Sequence, residues 1–239
     1  MLVSGIPDSV VGTNCWVLAP AAGEECLVVD PGFDVVDRLD AVLAEHRLRP
    51  AAVLLTHGHA DHVWSVAPVC GARGVPALVH ADDAHRLGDP LAGLGPQLRA
   101  MLQARFGDAA RWSEPDDVRT LADRQHLELA GLGLEVLHAP GHTEGSAVFV
   151  LDDVPEEVSG AAGPGQRAAL TSTVLSGDVL FAGSIGRTDL PGGDPGAMQR
   201  SLRDVVLPMP DDRLVLPGHG GATTIAQERS ANPYLRQLS

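Results

Sequence analysis

Thr56-His57-Gly58-His59-Ala60-Asp61-His62 puts three imidazoles and a carboxylate within six residues. Imidazole nitrogen and carboxylate oxygen suit zinc, iron or manganese. Side chains of these types packed so closely repel one another unless a cation sits among them. Chance histidines in a polar loop are the bland alternative, and the tight spacing argues against it. Three further donors share one local pattern. His142 in Ala139-Pro140-Gly141-His142, Asp178 in Leu175-Ser176-Gly177-Asp178 and His219 in Leu216-Pro217-Gly218-His219 each follow an apolar run at a glycine. Glycine lets the backbone turn sharply at a strand end. If those strands are neighbours, their ends converge on one cleft with seven candidate ligands: His57, His59, Asp61, His62, His142, Asp178 and His219. The chain holds no Gly-x-Ser-x-Gly, and a water activated by a bound metal would need no side-chain nucleophile.

The elements that must position these residues can be read from periodicity. Asn14 to Ala19 and Cys26 to Asp30 are strand-like around a Pro20–Gly23 turn, an N-terminal hairpin. Asp34 is an expected N-cap for a helix through His46, with Val35, Val36, Leu39, Val42 and Leu43 at helical spacing. The apolar run 51–55 reads as a buried strand delivering the histidine cluster to its carboxyl end, where open α/β sheets place ligand sites. A helix is expected from Asp61 toward Cys70, ended by Gly71, then a strand over 76–80. Residues 82–112 read as an inserted helical cap beside the site. Strands follow over 125–129, 134–139 and 146–151, each bounded by turn residues. Residues 152–168 are rich in Asp, Glu, Gly, Ala and Pro without apolar period and read as a mobile surface loop inside a single domain spanning 1–239. A strand to Asp178, a helix over 195–205, a strand over 213–216 and one short helix capped at Thr223-Thr224 complete the reading.

Of the 239 residues, 44% are hydrophobic but only 3% aromatic, so Val, Leu and Ala must fill the core. Lys and Arg number 17 against 31 Asp and Glu, a net charge of −14. That balance argues against a nucleic-acid or anionic-membrane surface, both of which need a basic footprint. Cys15, Cys26 and Cys70 form no CxxC pair and read as buried thiols of a reducing compartment. The N-terminus lacks a signal peptide and no stretch reaches transmembrane length, so a cytoplasmic protein is expected. Monomer and homodimer both remain open.

With these residues in place, the chain resembles the metallo-β-lactamase superfamily, whose HxHxDH signature stands at 57–62 and whose distal His, Asp and His match 142, 178 and 219. The resemblance implies an α/β fold, the αβ/βα four-layer sandwich of two mixed sheets with helices on the outer faces and metals at one edge. It implies that His57, His59 and His142 hold one divalent metal, that Asp61, His62 and His219 hold a second, and that Asp178 bridges them. Zinc is the first expectation for the pair, with iron or manganese as alternatives.

Ser176 to Asp194 narrows the choice. A Gly-Asp-x-Leu-Phe run leading to Gly-Arg-Thr-Asp-Leu-Pro-Gly-Gly-Asp resembles the short bacterial glyoxalase II-like hydrolases, and Gly-Arg-Thr-Asp is shared with the persulfide dioxygenases. The resemblance implies a small thiol-linked substrate. A metal-bridging hydroxide would cleave an S-2-hydroxyacyl thioester. The alternatives are a mononuclear-iron persulfide dioxygenase using His57, His142 and Asp178, and a hydrolase of another small ester or lactone. Only 20 residues follow His219, so the glyoxalase II helical C-terminal domain, with its basic groups for glutathione, is not expected. Arg229 and Arg236 are the basic side chains of that tail and read as surface residues. Asp61 and Arg187 are the candidate catalytic residues. Arg187 either turns into the cleft or pairs with Asp189 or Asp194. Trp64 either walls the pocket or packs in the core. His46, His80, His85, His126 and His138 lack the ligand pattern.

Overall fold

The computed structural model describes residues 1–92, 94–107, 112–157 and 170–238. The first six strands, β1 (Leu2–Pro7), β2 (Asn14–Ala19), β3 (Glu25–Val29), β4 (Arg49–Leu54), β5 (Ala77–His80) and β6 (Val118–Leu121), form one sheet in sequential order. It is antiparallel from β1 to β3 and parallel from β3 to β6. The other six, β7 (His126–Leu129), β8 (Leu132–His138), β9 (Ala147–Leu151), β10 (Ser172–Gly177), β11 (Arg213–Pro217) and β12 (Thr223–Thr224), form the second, antiparallel except for the parallel pair β10 and β11.

Strand alternation explains the layers, because successive side chains point to opposite faces. Leu27, Val29, Ala52 and Leu54 of the first sheet face Val136, Phe149, Leu151, Leu175 and Leu216 of the second. Their sequence neighbours Cys26, Val28, Val53 and Leu55 point outward to meet Leu39 and Leu43 of α1 (Val36–His46) and Val66 and Val69 of α3 (Val66–Arg73). On the far side, Val148, Val150, Val174 and Val215 meet Met198 of α5 (Pro195–Ser201), Leu202, Ile225 of α6 (Ile225–Ala231) and Leu235 of α7 (Pro233–Arg236). The result is the four-layer αβ/βα sandwich. The central strands, such as β3, β9 and β10, are apolar on both faces because each sheet is covered twice.

The sheets are tied together at the edge that carries the metal-type residues. Asn14 N–H donates to the Gly218 carbonyl (2.7 Å), and Ala147 N–H to the Thr56 carbonyl (2.8 Å). The Asn14 side chain and the Trp16 indole both donate to the Pro217 carbonyl, each at 3.1 Å.

Several expectations change. Asp34 is not the cap of α1. It has φ 53°, its carboxylate accepts from Ser9 and Arg105, and the helix begins beyond Val35 without a side-chain cap. The helix after the histidine cluster is two: α2 (Ala60–Val63) and α3, which passes through Gly71 and ends at Gly74 in the left-handed conformation. The tail holds two helices, with Thr224 capping the first through Gln227 N–H. Strands β1 and β6, and the two-residue β12 at Thr223-Thr224, depart from the expected elements. The segment 82–112 contributes a 3-10 helix (Ala81–Leu87) and α4 (Pro96–Phe106) beside the site. Residues 158–168 of the expected surface loop lie outside the described residues. Among the described residues no helix is long and apolar enough to cross a membrane, and all three cysteines are buried and unpaired.

Candidate metal centre

All seven side chains singled out in the sequence meet at this edge. Three groups have donor atoms within 4.8 Å of one another: His57, His59 and His142; His57, His62 and Asp178; and Asp61, His62 and His219. His59 Nδ1 lies 3.2 Å from His57 Nε2 and 2.8 Å from His142 Nε2. Asp178 stands between the clusters, with Oδ1 3.3 Å from His62 Nε2 and Oδ2 3.4 Å from His142 Nε2 and 3.6 Å from His219 Nε2. Asp61 Oδ2 is 3.3 Å from His219 Nε2 and 3.5 Å from His62 Nε2.

Strand-end backbone geometry brings them here. Gly177 has φ +48°, which lets β10 turn so that Asp178 points inward. Gly218 is required for space, since a Cβ there would lie 2.2 Å from Asp178 Oδ1. Its N–H donates to the Gly177 carbonyl at 2.8 Å, locking the two turns together.

The surrounding hydrogen bonds fix the imidazole tautomers. Asp30, buried at the end of β3, accepts from Thr56 N–H (2.8 Å), Thr56 Oγ1 (2.6 Å) and His62 Nδ1 (2.9 Å). Because the Thr56 hydroxyl proton is committed to Asp30, His57 Nδ1 at 3.1 Å must donate to Thr56 Oγ1. His142 Nδ1 donates to the Arg187 carbonyl at 2.7 Å. In neutral His57, His62 and His142 the Nε2 lone pair therefore faces the centre, the arrangement in which a partner on the far nitrogen orients a metal-binding imidazole.

Two observations test whether a cation fits. His62 Nε2 and Asp178 Oδ1 are buried without a hydrogen-bond partner, a costly state that a cation between them would relieve. The electrostatics agree. Burial, reinforced by the neighbouring imidazoles, pushes His57 well below the usual histidine range. Burial, together with His142, takes His59 down to about 3. Burial opposes a charge on His62, yet Asp178, Asp61 and Asp30 outweigh it and raise its pKa. Burial would raise Asp61 and Asp178, but the facing histidines hold both below the usual carboxylate range. His57 and His59 are thus held neutral, while the ionised Asp61 and Asp178 draw the facing His62 and His219 toward their protonated forms, positive charge that a divalent metal would replace.

Sequence reasoning missed the supports. Asp83, fully buried in the 3-10 helix, accepts from Gly58 N–H (2.7 Å), Thr143 Oγ1 (2.7 Å), Gly145 N–H (2.8 Å) and Arg86 Nε (3.2 Å), joining the ligand turns of both sheets. Thr13 Oγ1 donates to Asp61 Oδ2 at 2.9 Å. Asp30 carried a signal that could have found it: an acid directly after an apolar strand, as at Asp178. Arg187 acts on the ligands through its carbonyl. Its side chain lines the cavity over His59 and Asp61 and is paired with Asp189 at 2.7 and 2.8 Å, whereas Asp194 caps α5. Trp64 packs 5.0 Å from Phe33 in the small cluster beneath α4. Arg229 is structural, pairing with Asp211 and donating to the Leu207 and Met209 carbonyls. His80 is buried, and its ring stacks on that of His138 at 3.9 Å.

Two facing mixed sheets with a His/Asp cluster at one edge define a metallo-hydrolase architecture, and comparison with known proteins agrees. A family model described as "Metallo-beta-lactamase superfamily" matches residues 8–155. An uncharacterized protein of Mycobacterium tuberculosis is 41% identical over 241 residues, covering 100% of both chains. The hydroxyacylglutathione hydrolase GloC of Haemophilus influenzae is 31% identical over 245 residues, again covering 100% of both. Among solved structures, the BLEG-1 B3 metallo-beta-lactamase superposes with a TM-score of 0.76 at 33% identity, covering 98% of this chain and 99% of that one. TTHA1623 in a di-iron-bound form superposes with a TM-score of 0.72 at 31% identity, covering 97% and 100%. The chain belongs to the metallo-β-lactamase superfamily, and the likeness to GloC fits a glyoxalase II-like member.

Proposed function

We propose that this protein is a dinuclear-metal thioesterase that hydrolyses an S-2-hydroxyacyl thiol to a hydroxy acid and a free thiol. The observation that carries the proposal is the position of Asp178, whose two oxygens face the His142 cluster on one side and the His62–His219 cluster on the other. His57, His59 and His142 would hold one ion and Asp61, His62 and His219 the other, with Asp178 shared. Bound there, two divalent cations would bring a water's pKa toward neutrality and polarise a carbonyl. Zinc, iron and manganese all suit the donors, and the di-iron relative supports iron as much as zinc.

The chain's own residues supply the rest. Thr13 and His219 hold the Asp61 carboxylate at the cavity floor, where it can orient a water. Apolar side chains of the cavity wall, among them Phe33, Leu94 and Leu190, exclude solvent from the bound substrate. A thiolate leaves readily, so no strong general acid is required. Arg187, bound to Asp189, shapes the cavity wall.

The test is a panel of S-lactoyl thioesters with metal content measured on the same sample. Two metals per chain with thioester cleavage support the proposal, and one metal without cleavage opposes it. Replacing His62 and His219 together by alanine should abolish hydrolysis. It would largely spare a mononuclear dioxygenase, which oxygen consumption with a persulfide would reveal. The BLEG-1 likeness gives a second reading, β-lactam hydrolysis at the same centre, and a chromogenic cephalosporin in the panel decides it.

A further inference from the structure

A cavity of about 710 Å3 opens beside His59 and Asp61, bounded by residues 85–92, Leu94 and Gly95 on one side and residues 187–192 on the other. Its volume lies in the range of small-molecule sites, roughly 300–1,000 Å3. Val11, Phe33, Leu94, Leu190 and Pro191 make an apolar wall. The charged groups lining it are Arg86, Arg187, Asp89 and Glu144, above Asp61 at the floor. Both arginines are already engaged. Arg86 bonds Asp83 (3.2 Å), Glu144 and the Pro191 carbonyl (3.1 Å). Arg187 makes a two-pronged pair with Asp189. Among the described lining residues, an incoming carboxylate would therefore meet two committed guanidinium groups and the acids Asp89 and Glu144. His85 adds an imidazole at the rim.

We infer that this cavity receives the thiol-carrier arm of the substrate and selects an uncharged, amide-bearing, partly apolar arm over one that bears carboxylates. The inference rests on the thioesterase reading for its reacting group and departs from the glutathione carrier in the name of the Haemophilus relative. An uncharged arm covers the apolar wall and leaves both arginine pairs intact. An arm bearing carboxylates must break a pair or sit against like charge, which costs binding.

The test uses the metal-loaded full chain and three thioesters with one acyl group: S-lactoyl-pantetheine and S-lactoyl-N-acetylcysteamine, both uncharged, and S-lactoyl-glutathione. At low salt the pantetheine ester should exceed the glutathione ester in kcat/KM by about tenfold or more. The gap should narrow as salt screens the repulsion. Equal or better turnover of the glutathione ester at low salt overturns the inference while leaving the thioesterase intact. Binding of free pantetheine and free glutathione to the metal-loaded protein is a readout independent of turnover, because both present the same thiol. Glutathione binding as tightly as pantetheine overturns the inference even if no thioester is cleaved. Preferred pantetheine binding without any cleavage overturns the thioesterase and keeps the cavity's selectivity. Replacing Asp89 and Asp189 together by asparagine should raise the glutathione-to-pantetheine ratio of kcat/KM several-fold, and an unchanged ratio counts against the charge argument.

Discussion

Replacing Asp30 by asparagine should weaken metal binding while leaving the metal-free fold nearly intact. Asp30 is 1% exposed. Its Oδ1 accepts from Thr56 N–H, and its Oδ2 accepts from both the Thr56 hydroxyl and His62 Nδ1. An asparagine can sit in two ways. With its oxygen in the Oδ2 position, it keeps both of those bonds but turns its NH2 against Thr56 N–H. That leaves buried donors unpaired, at about 1–3 kcal/mol. Reversed, every group is satisfied once His62 is neutral, which burial and the loss of the Asp30 charge favour: the oxygen accepts from Thr56 N–H, and the NH2 donates to Thr56 Oγ1 and to His62 Nδ1. The Thr56 hydroxyl then donates to His57 Nδ1. Both rings consequently carry their proton on Nε2, the atom that must offer a lone pair to a cation. The metal-free protein takes the reversed form, and metal binding must force it back. The combined affinity for both ions should fall by that same ~1–3 kcal/mol, about 5- to 150-fold. This is comparable to the roughly 10- to 100-fold cost of losing an outer-shell partner. Competition of the metal-stripped protein against a chromophoric chelator measures the affinity, urea unfolding of the same sample measures the fold, and imidazole nitrogen shifts report the tautomers. Affinity for both ions within about twofold of the parent, or a fold that weakens more than metal binding does, would refute the tautomer argument.

Three further outcomes follow from the same geometry. Gly218→Ala places a Cβ 2.2 Å from Asp178 Oδ1 and 2.7 Å from the His62 ring; overpacking of about 1–3 kcal/mol is expected, with a drop in metals per chain, and a fully loaded, equally stable variant would sink the reasoning. Asp83→Ala leaves Arg86 and three other donors without their shared acceptor, so urea unfolding should show about 3–5 kcal/mol of destabilisation, and a loss under about 1 kcal/mol would mean water replaces the carboxylate. The Cys15 thiol is raised above its ordinary 9.0 by burial and then by the Asp30 charge; a raised folded-state value contributes stability that is complete below pH 9.0 and is lost as pH climbs toward that value, about 1.4 kcal/mol per pH unit. Cys15→Ala should flatten that alkaline slope between pH 9 and 10.5, a window set by the direction of the shift, and an unchanged slope assigns it elsewhere.

The seven donors were legible in the sequence because each follows a strand at a turn, and strand ends in such a fold share one edge. Three of the strands carrying them were equally plain: Val53, Val174 and Val215 sit in apolar runs long enough to be buried on both faces. The misses have local causes. Strand β1 (Leu-Val-Ser-Gly-Ile-Pro) contains Gly5 and ends at Pro7 and is only half-buried, so it offers little periodicity, and its pairing with β2 is what makes it a strand. Strand β6 has only Val118 and Leu121 as apolar residues, with Arg119 and Thr120 exposed between them; parallel pairing to β5 defines it. Asp34 has the composition of a cap, but its left-handed backbone and its partners Ser9 and Arg105 belong to tertiary structure.

The supports of the site were illegible for a different reason, and it bears on how such a centre works. Asp83 lies 26 residues beyond His57 in sequence and 59 before His142, with no local pattern to mark it. Its role exists only because one carboxylate can reach a backbone N–H after β4 and two groups after β8 at once. Arg187 is the stronger case: its side chain drew attention as a cation near a cleft, yet the atom that touches a ligand is its carbonyl, which any residue type would provide. Ligand identity is encoded by residue type and can be read one position at a time. Ligand tautomer and orientation are encoded by contacts between turns of both sheets, through Asp30, Thr56, Asp83 and the 187 carbonyl. Substitutions at Asp30, Thr56 and Asp83, which act through side chains, should therefore alter metal affinity without touching a single ligand, whereas the 187 contact should survive a change of side chain and a ligand substitution removes a metal outright.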